Sequence, residues 1–532
     1  MVSYSDPPVK VQFSDSEAGM TPNAGVELWL RAAKQSGALR DLPAGVAGRQ
    51  GWTDGQMLLS LCLLNILGWE CADDLDRMEA DEGLCRLVSR HEARILGVSR
   101  RSLRRRHRKG RRRTFPSSRS LLDWLHRHED EAAGRARAKG EAYVPVPSAT
   151  LAPVVEANRR LVAQTVAHAE LRRATVDVDA TIVSSGKKEA LPTYRAAKGT
   201  HPGEKGYQPL NCFLAETGSM LCSEMRDGNV PAREGNARVL SRALELLPEA
   251  IEEVMIRSDS AGHSAEVLQL CSRPELRPTS TRRFGVIGFA ISAVRSQELM
   301  AEVARVSEAE WTPLRVLEKH TPEAGGKPVL VEVDSATEAI AEVNFVSNED
   351  SYSKREGIVR YIAVRRERPD ALGVNDDELP PEGSKPAYAI RVLITNIPAP
   401  GEGRQDGLGP EPMAAQAVLN LLNGRCGDSE RAHDALKNGL AGGTMPSGRF
   451  GANAAWWLAA LLAHNLHTLT AWWSLNEDLA RATWKRIRRV LLDHAGRLIE
   501  SGRQLILRMC RNGTEELQAA LQNLDARSTV PG

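Results

Sequence analysis

Asp177 and Asp179 lie two apart in the β-branched run RRATVDVDATIVS, Arg172 to Ser184. A strand puts residues at that spacing on one face, with Val176, Val178 and Ala180 on the other. Two carboxylates on one strand face have two uses. An edge strand can wet them, or a divalent cation can be held by one or two carboxylates together with substrate phosphates. An isolated acid pair leaves both readings open, so further carboxylates on suitable elements become the test. Asp259 closes the segment EEVMIRSDS, which reads as a strand, and Glu430 lies in RCGDSERAHDALKNGL, seven residues before Lys437. That separation is two turns along one helical face, where Glu and Lys most often form a solvated pair.

The elements that must position these residues follow from patterning. MLLSLCLLNIL, from Met57 to Leu67, is apolar on nearly all sides and predicts a buried helix, with Thr53 and Asp54 as its capping candidates. Around the first acid pair the expected order is three strands, a helix, a strand carrying Asp259 at its end, another helix from His263 to about Cys271, and a strand in FGVIGFAIS. Open α/β sheets place active groups at such strand ends. From about Trp311 to Pro398, alternating segments (PVLVEV, AEVNFV, IVRYIAVRRE, AYAIRVLITN) separated by Gly/Pro-rich turns predict a mostly antiparallel β insertion. Beyond it come a helix bearing Glu430, a long buried helix with Trp456, Trp457, Leu461 and Leu466, and a basic helix in WKRIRRVLLDHAGRLI. His433, His464 and His467 read as packing or hydrogen-bonding residues.

Composition narrows the classes. The 532 residues carry 42% hydrophobic and 26% charged residues, as in an ordinary globular protein, with a net charge of only +2. Eight cysteines without any Cys-x-x-Cys suit a reducing compartment and argue against a structural zinc site. The polar N-terminus lacks an apolar signal core and no apolar run approaches membrane-spanning length, so the expectation is a cytoplasmic protein without membrane contact. Basic residues are concentrated in SRRSLRRRHRKGRRR, from Ser99 to Arg113, with ten Lys/Arg in fifteen and no acid. A folded segment follows at once, so Arg104, Arg105, Arg106, Arg108, Lys109, Arg111, Arg112 and Arg113 are expected to contact a nucleic-acid backbone.

Taken together, Asp179 in DVDAT, Asp259 in IRSDSAGH and Glu430 in its helix resemble the three acids of the DDE transposases of bacterial insertion sequences, most closely the insertion-sequence thirteen-eighty family. GYQPL (Gly206 to Leu210), RDGN (Arg226 to Asn229), ITN (Ile394 to Asn396) and MPSGRFGAN (Met445 to Asn453) occur in the matching order. The helix departs from the family's Tyr-x2-Arg-x3-Glu-x6-Lys pattern. Leu422 stands at the Tyr position relative to Arg425, and four residues separate Arg425 from Glu430. Asp177 competes with Asp179 for the first acid; Asp179 is favoured because Ala180-Thr181 follows it.

The resemblance implies an RNase H-like α/β core interrupted by the β insertion, preceded by a helical DNA-binding region and followed by a helical C-terminal region. The implied divisions are 1–170, 171–310, 311–410, 411–475 and 476–532. It also implies cut-and-paste transposition: terminal inverted repeats are bound, strands are cleaved, and the freed ends are transferred to target DNA. Two Mg2+ ions, replaceable by Mn2+, would lie between Asp179, Asp259 and Glu430, while Arg425 and Lys437 hold DNA. A homodimer on double-stranded DNA is expected. Rival readings are a metal-dependent nuclease of the same fold without strand transfer, and a non-catalytic DNA-binding regulator derived from a transposase.

Overall fold

Val176 and Val178 point away from Asp177 and Asp179, which alternate with them, and this alternation organises the core. The computed structural model describes residues 19–43, 45, 51–99, 103, 113–129, 131–139, 149–320, 329–346, 359–368, 387–402, 409–501 and 504–528. Its centre is a nine-stranded mixed sheet made of β1 (Arg173–Ala180), β2 (Leu210–Leu214), β3 (Ser219–Glu224), β4 (Glu253–Ser258), β5 (Gly288–Ser292), β6 (Thr312–His320), β7 (Val329–Val343), β8 (Arg360–Glu367) and β9 (Tyr388–Thr395). The spatial order is β6-β7-β8-β9-β5-β4-β1-β2-β3. Strands β1, β4 and β5 are parallel; β2 runs antiparallel to β1, and β3, antiparallel to β2, returns to the direction of β1.

Where alternating segments predict strands, the four strands β6 to β9 are antiparallel to one another and continue the same sheet. Leu393, Ile394 and Thr395 of β9 pair with Ser292, Ile291 and Ala290 of β5. Val329–Val333 of PVLVEV and Ala341–Val343 of AEVNFV, read as separate segments, belong to one fifteen-residue strand, β7. The residues between them, Asp334 to Ile340 (DSATEAI), include neither Gly nor Pro to break it.

The helices that matter to the site are α1 (Asp54–Leu67), α2 (Ala152–His168), α3 (Asn236–Leu246), α4 (Ala265–Ser272), α5 (Ala415–Asn423), α6 (Asp428–Asp434) and α7 (Phe450–Ser474). Thr53 caps α1 as expected, in a capping box closed by Gln56. On one face of the sheet, Val176, Val178, Ile256 and Phe289 share a core with Val239 and Leu240 of α3 and Val267 of α4. On the other face α5 packs through Val418, Leu419 and Leu422 against Ala290 and Leu393. The 25-residue α7 is buried almost throughout and forms the spine of the helical layer. Burying an apolar side chain of this size stabilises by about 1.5–3 kcal/mol, which is why a helix without a capping side chain persists here.

The C-terminal region departs from the all-helical expectation. Helix in WKRIRRVLLDHAGRLI covers Trp484–Ile487 and continues as a π-helical turn, Arg488–Leu492. Gly496–Ser501 is a strand instead, paired with Gln504–Met509 on one side and Met20–Thr21 on the other. The physical reason lies in the period: Leu498 and Leu507 face inward while Arg497 and Arg508 face out, an alternation of two that a helix cannot bury. Among the described residues no helix is long and apolar enough to cross a membrane.

Candidate active site

The pairing of β1 with β4 places the first two acids. In this parallel register Val178 lies opposite Ser258. Asp179 is the next residue of β1 and Asp259 the first beyond β4, so they adjoin at the carboxyl ends of strands whose axes lie ~4.8 Å apart. Both are half-buried. Asp259 caps the turn that follows, its Oδ1 accepting from the Ala261 amide at 2.9 Å.

Asp177 and Asp179 leave the sheet on the face covered by α5 and α6, and their environments differ. Asp177 is 1% exposed, and the Arg257 guanidinium of β4 grips both its oxygens at 2.6 Å. The same guanidinium donates to the Leu421 carbonyl of α5 at 3.0 Å, locking that helix to the sheet. This bidentate arrangement uses both carboxylate oxygens of Asp177 structurally. Asp179 has looser company. Arg425 Nη1 lies 3.0 Å from its Oδ2, and His433 Nδ1 stands 4.0 Å away, while the Ser429 hydroxyl of α6 donates to the Arg425 carbonyl at 3.4 Å. Burial pushes the Asp179 carboxyl up to about 6; the Arg425 charge opposes this rise and the nearby Asp259 adds to it.

Sequence reading treated Arg425 as displaced from its motif, whereas the fold brings it onto Asp179. Lys437 also arrives: its Nζ donates to the Ile182 carbonyl at 3.2 Å and lies 3.4 Å from Thr181 Oγ1, just beyond the end of β1. Ser429 and His433, one turn apart on α6, face the acids and were not singled out as site residues. His433 is buried with its ring against Phe213. Burial holds its pKa down to about 3, assisted by the Lys437 and Arg425 charges, so the ring is neutral near pH 7. The i, i+4 spacing of Ser429 and His433 was the available signal.

Glu430 follows Ser429 by one residue, about a 100° rotation on the helix, and is exposed to solvent. Among the described residues no three His, Cys, Asp or Glu side chains form a group that could hold a metal ion. The adjoining carboxylates of Asp179 and Asp259 fit the oxygen chemistry of a hard divalent cation, and the Arg425 guanidinium supplies positive charge at that place. The structure therefore joins Asp179, Asp259, Arg425 and Lys437, and leaves Glu430 on the outer side of α6.

The separated sequence motifs meet beside this site. The Gly228 amide donates to the Gly206 carbonyl at 3.0 Å, and Arg226 Nε donates to the Gln208 carbonyl at 3.0 Å. Asn453 Nδ2 donates to the Tyr207 hydroxyl at 2.8 Å, and Asp227 pairs with Arg137 at 3.0 Å. Asn396 of ITN lies apart from these, bridging Phe289 and Ile287 at the amino end of β5.

Of the basic run, Arg104, Arg105, Arg106, Arg108, Lys109, Arg111 and Arg112 lie outside the described residues. Arg113 is described: it pairs with Asp76 at 2.5 Å and donates to the Phe115 carbonyl.

Residues 9–312 match the family described as Transposase DDE domain group 1. The chain belongs to this family of DDE transposases. The matched stretch holds Asp179 and Asp259 and ends where the insertion begins, before Glu430. Among solved structures, the chain is similar to a piggyBac transposase synaptic complex with hairpin DNA, at 9% identity and a TM-score of 0.39, over 97% of this chain and 85% of that one. No curated protein matches the chain.

Proposed function

We infer that this DDE transposase binds the terminal inverted repeats of an insertion sequence and catalyses DNA strand cleavage and strand transfer at the Asp179/Asp259 end of its sheet. The observation that carries the reading is the adjoining placement of these acids at the carboxyl ends of adjacent parallel strands, within the span shared with the transposase family. The order β3-β2-β1-β4-β5, with β2 antiparallel to β1, supports an RNase H-like core. The convergence of GYQPL, RDGN and MPSGRFGAN beside it supports the insertion-sequence thirteen-eighty assignment.

Asp179 and Asp259 would hold the divalent cation, Mg2+ or Mn2+, which supplies charge neutralisation at a scissile phosphate. Around it the chain's own groups have distinct tasks. Arg425 neutralises Asp179 and is placed to transfer its guanidinium to a DNA phosphate. Lys437 holds the end of β1 and offers a point charge beside the same phosphate. Glu430 joins the site when α6, a seven-residue helix without a capping side chain that passes into a π-helical turn, rotates on its axis. DNA ends are cut in pairs, so the working unit is a homodimer on double-stranded DNA.

The experiment is an assay of the purified chain with labelled DNA carrying the element's ends and Mg2+, scored for 3′-end cleavage and for joining to a target plasmid. Asp179→Asn, Asp259→Asn and Glu430→Gln are each expected to bind the ends and to cut at background. Cleavage without joining would replace the transposase reading with a nuclease. Full cutting by Glu430→Gln would confine the site to the two strand acids, and binding without cutting by the wild-type chain would favour the regulator reading.

A further inference from the structure

The chain leaves β1 at Ala180 and folds at once into a small three-stranded sheet. Lys205–Tyr207 is its central strand, flanked by Val183–Ser184 and Leu191–Pro192. This flap is rigidly built. A Cβ on Gly206 would sit 2.1 Å from the Val183 carbonyl oxygen, so only glycine lets these strands approach. Thr193 caps the short helix Tyr194–Ala197. The Glu204 carboxylate accepts from Arg195 Nη2 at 2.7 Å, Ser184 Oγ at 2.8 Å and Thr193 Oγ1 at 2.9 Å. At its base, fully buried Tyr207 bonds Asn453 of α7, and Lys437 grips the Ile182 carbonyl.

The flap's charge is not balanced in the same way. Between residues 183 and 207 stand five Lys/Arg and two Glu, and Glu204 is already engaged with Arg195. Lys187, Lys188, Lys198 and Lys205 are all exposed. No carboxylate lies within ion-pair distance of any of their ammonium groups among the described residues; Lys198 instead stands 5.5 Å over the Tyr194 ring. Like charges fixed on one ordered element repel each other, and a polyanion that binds across them removes that cost. The element begins three residues after Ala180, so whatever binds it is delivered to the Asp179/Asp259 end of the sheet.

We propose that Lys187, Lys188, Lys198 and Lys205 form a track for DNA phosphates, which seats the strand to be cut against the acids. The proposal rests on the DNA-cutting reading above. Backbone contacts of this kind give affinity and position without base specificity. Each phosphate neutralised contributes about −0.9 to the slope of log affinity against log salt.

The test is fluorescence anisotropy of labelled duplex DNA over a salt series, using the full chain and a variant carrying Lys187→Ala, Lys188→Ala, Lys198→Ala and Lys205→Ala. The slope should flatten by up to ~3.6 and affinity at low salt should fall, while Lys→Arg at the same four positions keeps both. The pair Lys187→Ala/Lys188→Ala should give about half the change, ~1.8, and covers the case in which the fourfold variant folds poorly. A wild-type slope in a folded alanine variant of a chain that binds and cuts DNA would overturn the track alone. A wild-type chain that neither binds nor cuts DNA would overturn the proposed function and the track with it.

Discussion

Asp177 and Asp179 occupy the same face of the same strand, yet one sits in a closed region of the molecule and the other in an open one. At Asp177 a single guanidinium from the neighbouring strand uses both carboxylate oxygens and bonds α5 as well. Two residues later, Asp179 shares its partners with a short helix that has no capping side chain and passes into a π turn. A buried charge with saturated hydrogen bonds is scaffold. One left partly exposed beside a second acid, with a raised pKa and a cationic partner, is the setting the proposed function requires of a reacting group.

The sharpest way to break this contrast is to remove each acid in turn. Asp177→Ala strands the Arg257 charge in the interior and should cost about 3–5 kcal/mol in urea unfolding. Asp179→Ala should cost far less, because Arg425 is partly exposed and can turn to water. Equal losses would mean that both acids are structural. Replacing Asp177 and Arg257 together with apolar residues should recover most of the stability, since a buried pair gains little over good packing.

Acidity gives a second, smaller effect. With its folded pKa near 6 against 3.8 for the ordinary group, Asp179 keeps its proton in the folded chain over a range where the unfolded chain has released it. Folding stability therefore declines as pH rises from about 4 to 6, by up to roughly 3 kcal/mol from this group. Metal-free protein should show this decline in denaturant melts, measured as the difference between wild type and Asp179→Asn. A flat difference between the two would place Asp179 in a solvated setting like that of any surface acid. Smallest of all is Lys437→Ala, which removes one hydrogen bond to the Ile182 carbonyl and should lower stability by about 1 kcal/mol in thermal melts. A loss as large as that of Asp177→Ala would make Lys437 part of the scaffold.

Much of this arrangement is legible in the residues. The alternation around Asp177 and Asp179 specifies a strand with its acids on one face, the capping box at Thr53 specifies the start of α1, and the Trp-rich apolar run specifies α7. Asp259 at a strand end follows from the same patterning. Residues whose roles depend on partners far along the chain are different. Arg257 carries no mark distinguishing it from a surface arginine, and its match with Asp177 exists only because β1 and β4 pair in one register. Ser429 and His433 face the acids because α6 is rotated that way by Arg425 and Lys437.

Side-chain spacing alone specified the strand around Asp177 and Asp179, the capped start of α1 and the buried run of α7, because helical and strand periods are local properties. Only the tertiary structure decided that β6 to β9 extend the central sheet, that Gly496–Ser501 is a strand held by Met20–Thr21, and that Asp177 is clamped while Asp179 is open. Those outcomes depend on which distant backbone edges and charges meet, and a charge has no assigned partner until the register of the sheet has fixed its neighbours.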